Sequence, residues 1–393
     1  MTMAGLVDRL ESALPEMVND LEALVTCESP SVDLEAVAVS AEVVARIGSA
    51  RLGAEPERIV LDGRTHLRWR LGAGPAQVLI LGHHDTVWPI GSLADHRFAI
   101  TGGILRGPGC FDMKAGLVIA FHAVAALADP AGITILVTGD EELGSPTSRA
   151  LIETEASGCA AALVLEASAD EGALKVERKG VSLYEVLVHG RAAHAGLEPE
   201  LGVNATVELA HQILAIGALA DTDRGTSVTP TLLTAGTSAN TVPGEGRVSV
   251  DVRVRDSAEQ ARVDAAMHAL RPVLSGVRLE VVGGANRPPL DRVASAPLFQ
   301  RAVELAARLG LPPVRGVAVG GASDGNFTAG VGTPTLDGLG AVGGGAHADD
   351  EHVLVAELPR RTALLTALVA DLLGGAGRLR ATNLDSTAGR NRP

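Results

Sequence analysis

The stretch LILGHHDTVWP, residues 79–89, ends an apolar run on two histidines and an aspartate. Side chains alternate faces along a strand, so an extended VLILGHHD puts His83 and Asp85 on one side and His84 on the other. His83 is the candidate metal ligand. Asp85 can accept a hydrogen bond from the ring nitrogen not used for metal, fixing tautomer and orientation, and His84 is expected to tolerate replacement. A lone histidine at a strand end more often belongs to the surface or the core, so the case needs further donors in the same kind of position. GPGCFDMKAG places Asp112 in a glycine-rich turn before a helix, where an acid ordinarily caps the N-terminus. GDEELGS sets Glu141 and Glu142 side by side after a buried strand, where carboxylates are costly unless a cation or donor satisfies them. LEAS supplies Glu166 in the same setting, and GGGAHADDEH supplies His347. Two histidines and three carboxylates on one edge suit Zn2+, and a bridging carboxylate can hold two such ions a few ångströms apart. Co2+ and Mn2+ accept the same donors.

The elements around these residues explain how they converge. Up to about residue 180, apolar runs (QVLILG, ITILVTG, AALVLE) alternate with alanine-rich helical stretches such as LEAVAVSAEVVARIG and KAGLVIAFHAVAAL. That rhythm predicts an α/β domain with a mainly parallel sheet, whose ligand groups gather beyond the carboxyl ends of the strands. Between 182 and 288 the order becomes strand, helix, strand, strand, helix, strand, the last helix being read through SAEQARVDAAMHALRPVL. This predicts an inserted ferredoxin-like α+β domain. The catalytic domain is then expected in two segments, 1–181 and 289–373, followed by a disordered tail, 374–393, rich in glycine and polar residues.

These motifs together resemble the dinuclear zinc carboxypeptidase, aminoacylase and desuccinylase family, nearest its glutamate carboxypeptidase branch. HHDTV, GPGCFDMKAG, TGDEELGS, HAGLEPELGVNA and the GGASDGN loop stand in family order, and the resemblance runs from about residue 20 to 372. It implies that Asp112 bridges two Zn2+, with His83 and Glu166 completing one site and Glu142 and His347 the other. Glu141 becomes the general base, and a cis peptide follows Asp112. It also implies that His194, in GRAAHAGLEPE, stabilises the oxyanion, commonly across a dimer interface. Asn240 helps position substrate, Arg253 and Arg287 lie near its carboxylate, and the loop of Ser323 lines the pocket. Either arginine also fits an ordinary surface role, and Arg287 is the preferred partner because a free α-carboxylate needs a cation and its loop position allows one. Closure of the inserted domain as a lid is expected to bring His194 and the arginines to one substrate.

Other classes fit less well. GASDG, residues 321–325, satisfies G-x-S-x-G, with Asp337 and His347 or His352 following in serine-hydrolase order. The helix such an elbow needs is not expected across GNFTAGVGTP. There is no phosphate-binding G-x-x-x-x-G-K-[ST], and every expected ligand is present, against a non-catalytic scaffold. With 33 basic against 47 acidic residues, a formal −14, neither nucleic acid nor a membrane surface is an expected partner. Cys27, Cys110 and Cys159 are scattered, which argues against a disulfide framework. The N-terminal segment reads as one amphipathic helix, without the apolar run of a signal peptide. The expectation is a cytoplasmic homodimer that hydrolyses an amide next to a free carboxylate and releases a glutamate-like amino acid. An aminoacylase or a dipeptidase would share the same metal core.

Overall fold

The computed structural model describes residues 3–374; the tail expected to be disordered lies outside them from residue 375 onward. The chain divides into two compact units, one of Met1–Val176, Arg292–Ala318 and Ser323–Pro393, the other of Glu177–Asp291 with Val319–Ala322. No helix among the described residues is long and apolar enough to cross a membrane.

In the first unit the strand Val78–His83 pairs in parallel with Ile133–Thr138 on one side and Ala161–Val164 on the other. All three are buried throughout, which is why they read as unbroken apolar runs rather than alternating ones. Val78 and Ile80 join the core built with the helices Ala115–Ala125 and Glu357–Leu372. Leu79 and Leu81 pack on the opposite face against Ile152, Ala156 and Phe327. Thr335–Leu336 extends the parallel part. The sheet is nevertheless mixed, because Glu57–Leu61 and Arg64–Leu71 form an antiparallel hairpin that continues antiparallel onto Ile133–Thr138. A mainly parallel sheet was expected; the departure lies at Asp62-Gly63, whose positive φ values of 46° and 79° define the two-residue turn that matches hairpin twist. At the N-terminus two helices, Met3–Ser12 and Leu14–Val25, replace the single one expected. Pro15 starts the second, where a missing N–H leaves no bond unmade.

The second unit is a four-stranded antiparallel sheet in the order Ser227–Ala235, Glu245–Val254, Gly180–His189, Arg278–Arg287. Tyr184, Val186 and Val188, with Val248, Val250, Val252 and Val254, form its core with the helices Ala205–Gly217 and Ser257–His268. Each helix starts on a side-chain cap: Asn204 accepts from the N–H of Thr206 and Val207, and Asp256 from that of Glu259. The second helix ends at His268 instead of running on through Pro272, as a proline's steric demand on the preceding turn requires.

Candidate metal centre

Parallel strands deliver their carboxyl ends to one edge. His83 ends its strand, Glu141 and Glu142 follow Thr138 in a short turn, and Glu166 comes two residues after Val164. Asp112 lies in the wide turn Cys110–Lys114 ahead of the helix Ala115–Ala125, and the peptide between Asp112 and Met113 is cis. The side chain does not cap that helix. Gly109 opens the turn at φ 69°, and a Cβ there would come within 2.5 Å of Thr86 Cγ2, so only glycine fits.

The five expected ligands meet. His83 Nε2 stands 3.5 Å from Asp112 Oδ1 and 3.6 Å from Glu166 Oε1, while His347 Nε2 stands 3.3 Å from Asp112 Oδ2 and 3.1 Å from Glu142 Oε1. Donors at about 2.0–2.2 Å from one tetrahedral ion are roughly 3.4 Å apart. Asp112 therefore turns one oxygen to each imidazole. His83 Nε2 and Asp112 Oδ1 are buried atoms with no hydrogen-bond partner among the described residues, a state that a polar atom tolerates poorly unless a cation satisfies it. Donor atoms of His83, Asp112 and Glu142 lie within 4.8 Å of one another, and so do those of His83, Glu141 and Glu166. Glu141 thus stands inside the same cluster.

The charge balance also favours cations. Burial opposes ionisation of Asp112, yet the imidazoles of His347 and His83 beside it hold its carboxyl far below the usual carboxylate range. His347 is pushed up to about 10 by Asp112 and then Glu142. Burial works against protonation of His83, but Asp112 and Asp85 raise it well above its ordinary value. Four crowded carboxylates thus draw positive charge to this edge.

Asp85 is fully buried and does more than orient His83. The Nδ1 of His83 lies 3.0 Å from the Asp85 backbone carbonyl and 3.4 Å from its carboxylate. That carboxylate accepts from Ser31 Oγ at 2.7 Å and from the N–H groups of Glu141 and Glu142, both at 3.2 Å. One aspartate so fixes both the histidine and the paired glutamates. Asp140 likewise gathers Thr147 and Ser148, and Asp324 takes the hydroxyls of Thr138 and Ser145. Sequence reading missed Ser31, Asp140 and Asp324, because hydroxyl-to-carboxylate pairs far apart in the chain leave no spacing to find. His84 departs from expectation. It is fully buried, with Nδ1 3.2 Å from Ser40 Oγ and Nε2 3.0 Å from Thr65 O, and burial pushes it down to about 4, so it is a core residue that will not tolerate change freely.

Ser323 also departs. The chain after it is helical, Gly325–Gly330, contrary to expectation; the glycines fall at the helix ends and Pro334 beyond them, where neither disrupts it. Ser323 is fully buried, donates to Asp337 Oδ2 at 2.5 Å and accepts from the Gly325 N–H. Among the described residues no histidine bonds to it, so it lacks the base of a serine nucleophile, and its fully buried hydroxyl is not open to the substrate it was expected to meet.

His194, Asn240, Arg253 and Arg287 all belong to the second unit. His194 is exposed, and its Nδ1 accepts from the N–H of Gly196 and Leu197, both at 3.1 Å, leaving the neutral ring's proton on Nε2. Asn240 is beside it, its carbonyl accepting from Ala195 N–H at 2.9 Å. Arg253 and Arg287 each stand opposite Val181, whereas His194 and Asn240 lie beyond His189, at the other end of that strand. Eight residues separate Val181 from His189, about 26 Å of extended chain. Arg253 is paired bidentately with Asp251 at 2.8 Å, and Arg287 is buried. His194 and the two arginines, expected to meet on one substrate, thus belong to opposite ends of this strand.

The cluster at the sheet edge fits a metal-binding site of a hydrolase fold. The chain belongs to peptidase family M20/M25/M40, whose model matches residues 79–371, and is therefore a hydrolytic enzyme of a metal-dependent family. It is 30% identical over 385 residues to carboxypeptidase G2 of Pseudomonas sp. (strain RS-16), covering 93% of this chain and 90% of that protein. It is 28% identical over 322 residues to a succinyl-diaminopimelate desuccinylase of Methylorubrum populi, covering 75% and 82%. Among solved structures it shares the fold of an M20-family metallo-carboxypeptidase from Sulfolobus solfataricus, with a TM-score of 0.71 at 16% identity over 91% of this chain and 99% of that one.

Proposed function

We propose that this enzyme is a dinuclear zinc hydrolase that cleaves an amide next to a free carboxylate and releases a glutamate-like amino acid. The observation that carries the reading is Asp112, with one oxygen toward His83 and the other toward His347. His83 and Glu166 would hold one Zn2+, Glu142 and His347 the other, and Asp112 both. Bound there, the ions polarise a carbonyl and lower the proton affinity of water. Glu141 takes the proton of the attacking water and returns it to the leaving nitrogen. Asp85 keeps Glu141 in place through its backbone N–H, and His194 offers Nε2–H to the developing oxyanion. The likeness to carboxypeptidase G2 over nearly the whole chain supports a carboxypeptidase-type substrate; the desuccinylase relatives make N-succinyl amides the second class to try. The test incubates the protein with N-acyl glutamates, N-succinyl amines and dipeptides and identifies the released amine. Chelation should abolish turnover and Zn2+ restore it, while Ser323→Ala should keep the rate within a few-fold. A chelator-resistant rate that falls with Ser323→Ala would overturn the reading.

The two ends of the second unit's sheet bear on assembly. Arginines and His194 can act on one small substrate only if they come from different copies, which supports a homodimer formed through this unit. Glu141→Ala and His194→Ala are each expected to be inactive alone. Mixed under subunit exchange, they should recover roughly a quarter of the wild-type rate by statistical re-pairing. No recovery, with heterodimers demonstrated, would place His194 in its own subunit's site.

A further inference from the structure

Glu351 stands four residues after His347 and is only 3% exposed. No side-chain cation pairs with it among the described residues. Its Oε1 accepts from the backbone N–H groups of Phe111 and Asp112, both at 2.9 Å. Its Oε2 accepts from the N–H of Gly109 at 2.9 Å and from Trp88 Nε1 at 2.7 Å. Four donors converge on one carboxylate, two to each oxygen. Glutamine could not replace it, because an amide accepts at one end only and would set its own N–H groups against two of these donors. A buried carboxylate is expensive to desolvate, so this one is matched to what it holds.

What it holds is the turn that carries Asp112. Three N–H groups of Gly109–Asp112 hang from a side chain belonging to the loop of His347. That loop is built from backbone that few side chains adopt, with Gly345 at φ 73° and His347 at φ 64°, and His347 is about half exposed. His83 and Glu166, by contrast, are placed by adjacent strands of the sheet. The two halves of the cluster therefore depend on different supports.

We propose that Glu351 is a positioning residue that holds the Asp112 turn and the His347 loop in register, and so sets the affinity of the half-site formed by His347, Glu142 and Asp112. The proposal rests on the two-ion reading of the centre. Removing a group that orients metal ligands typically weakens metal binding 10–100-fold. Here the loss should be unequal. The metal-free wild type and Glu351→Gln are titrated with Zn2+ against a chromophoric chelator, with bound metal counted by mass spectrometry. Wild type should take two equivalents. In Glu351→Gln one equivalent should bind within about threefold of wild type and the other about 10–100-fold more weakly, with kcat recovering in excess Zn2+ and KM little changed. Trp88 reports the broken contact directly, since the only other tryptophan, Trp69, is buried elsewhere; its emission should shift in the metal-free variant. Folded Glu351→Gln that binds both equivalents as wild type does, or loses both equally, overturns the proposal. Where Glu351→Gln yields no folded protein, Glu351→Asp, which keeps the charge on a shorter stem, is judged by the same criterion. A wild type that takes up no Zn2+ overturns the two-ion reading itself, a result distinct from either.

Discussion

Alanine at Asp112 is expected to empty both metal half-sites and lower kcat/KM by roughly 10^4-fold, the equivalent of the several kcal/mol that a bound cation contributes to a charged transition state. The residue is the single connection between two otherwise separate pairs. His83 and Glu166 lie on one side and His347 and Glu142 on the other, each imidazole nearest a different oxygen of the same carboxylate. The metal-free variant should melt somewhat below the metal-free wild type, because His83 and His347 lose the carboxylate that stands between them. What it should lose is the rise in Tm on adding Zn2+, which mass action gives to any protein whose folded state alone binds the ion. A variant that still takes two equivalents would remove Asp112 as the bridge.

Glu141→Ala separates chemistry from binding. Metal content should stay at the wild-type value while kcat falls about 10^2 to 10^4-fold, the usual contribution of a positioned proton acceptor. The geometry makes this a demanding prediction, since a donor atom of Glu141 stands within 4.8 Å of those of His83 and Glu166. Were Glu141 a ligand, the variant would lose metal along with rate. Elemental analysis of the purified variant beside its steady-state kinetics distinguishes the two roles.

Much of the centre was legible because parallel strands impose a rule on where polar residues fall. His83, Glu141, Glu142 and Glu166 each come after a run of apolar residues, and no run so buried ends on acids and a histidine without something to satisfy them. The hairpin turns on Asp62-Gly63, an Asp-Gly turn signal that a reading by apolar runs does not use. Other features leave no trace in spacing. In HADDEH, Asp349, Asp350 and Glu351 are alike as acids, and only the folded chain shows Asp349 exposed at the surface and Glu351 buried under four donors. His84 stands next to an expected ligand and is core, because the strand ends at His83 and the next side chain enters a pocket formed by Ser40 and Thr65. The separation of His194 from Arg253 and Arg287 depends on strand register, which residue patterns do not set beyond the identity of each face.

Anomalous diffraction at the zinc edge, from crystals grown with Zn2+, tests the central claim most directly. Two peaks about 3.5–4 Å apart are expected, flanking the Asp112 carboxylate, one beside His83 and Glu166 and the other beside His347 and Glu142. A single peak, or peaks that leave Asp112 without contact to either ion, would contradict it.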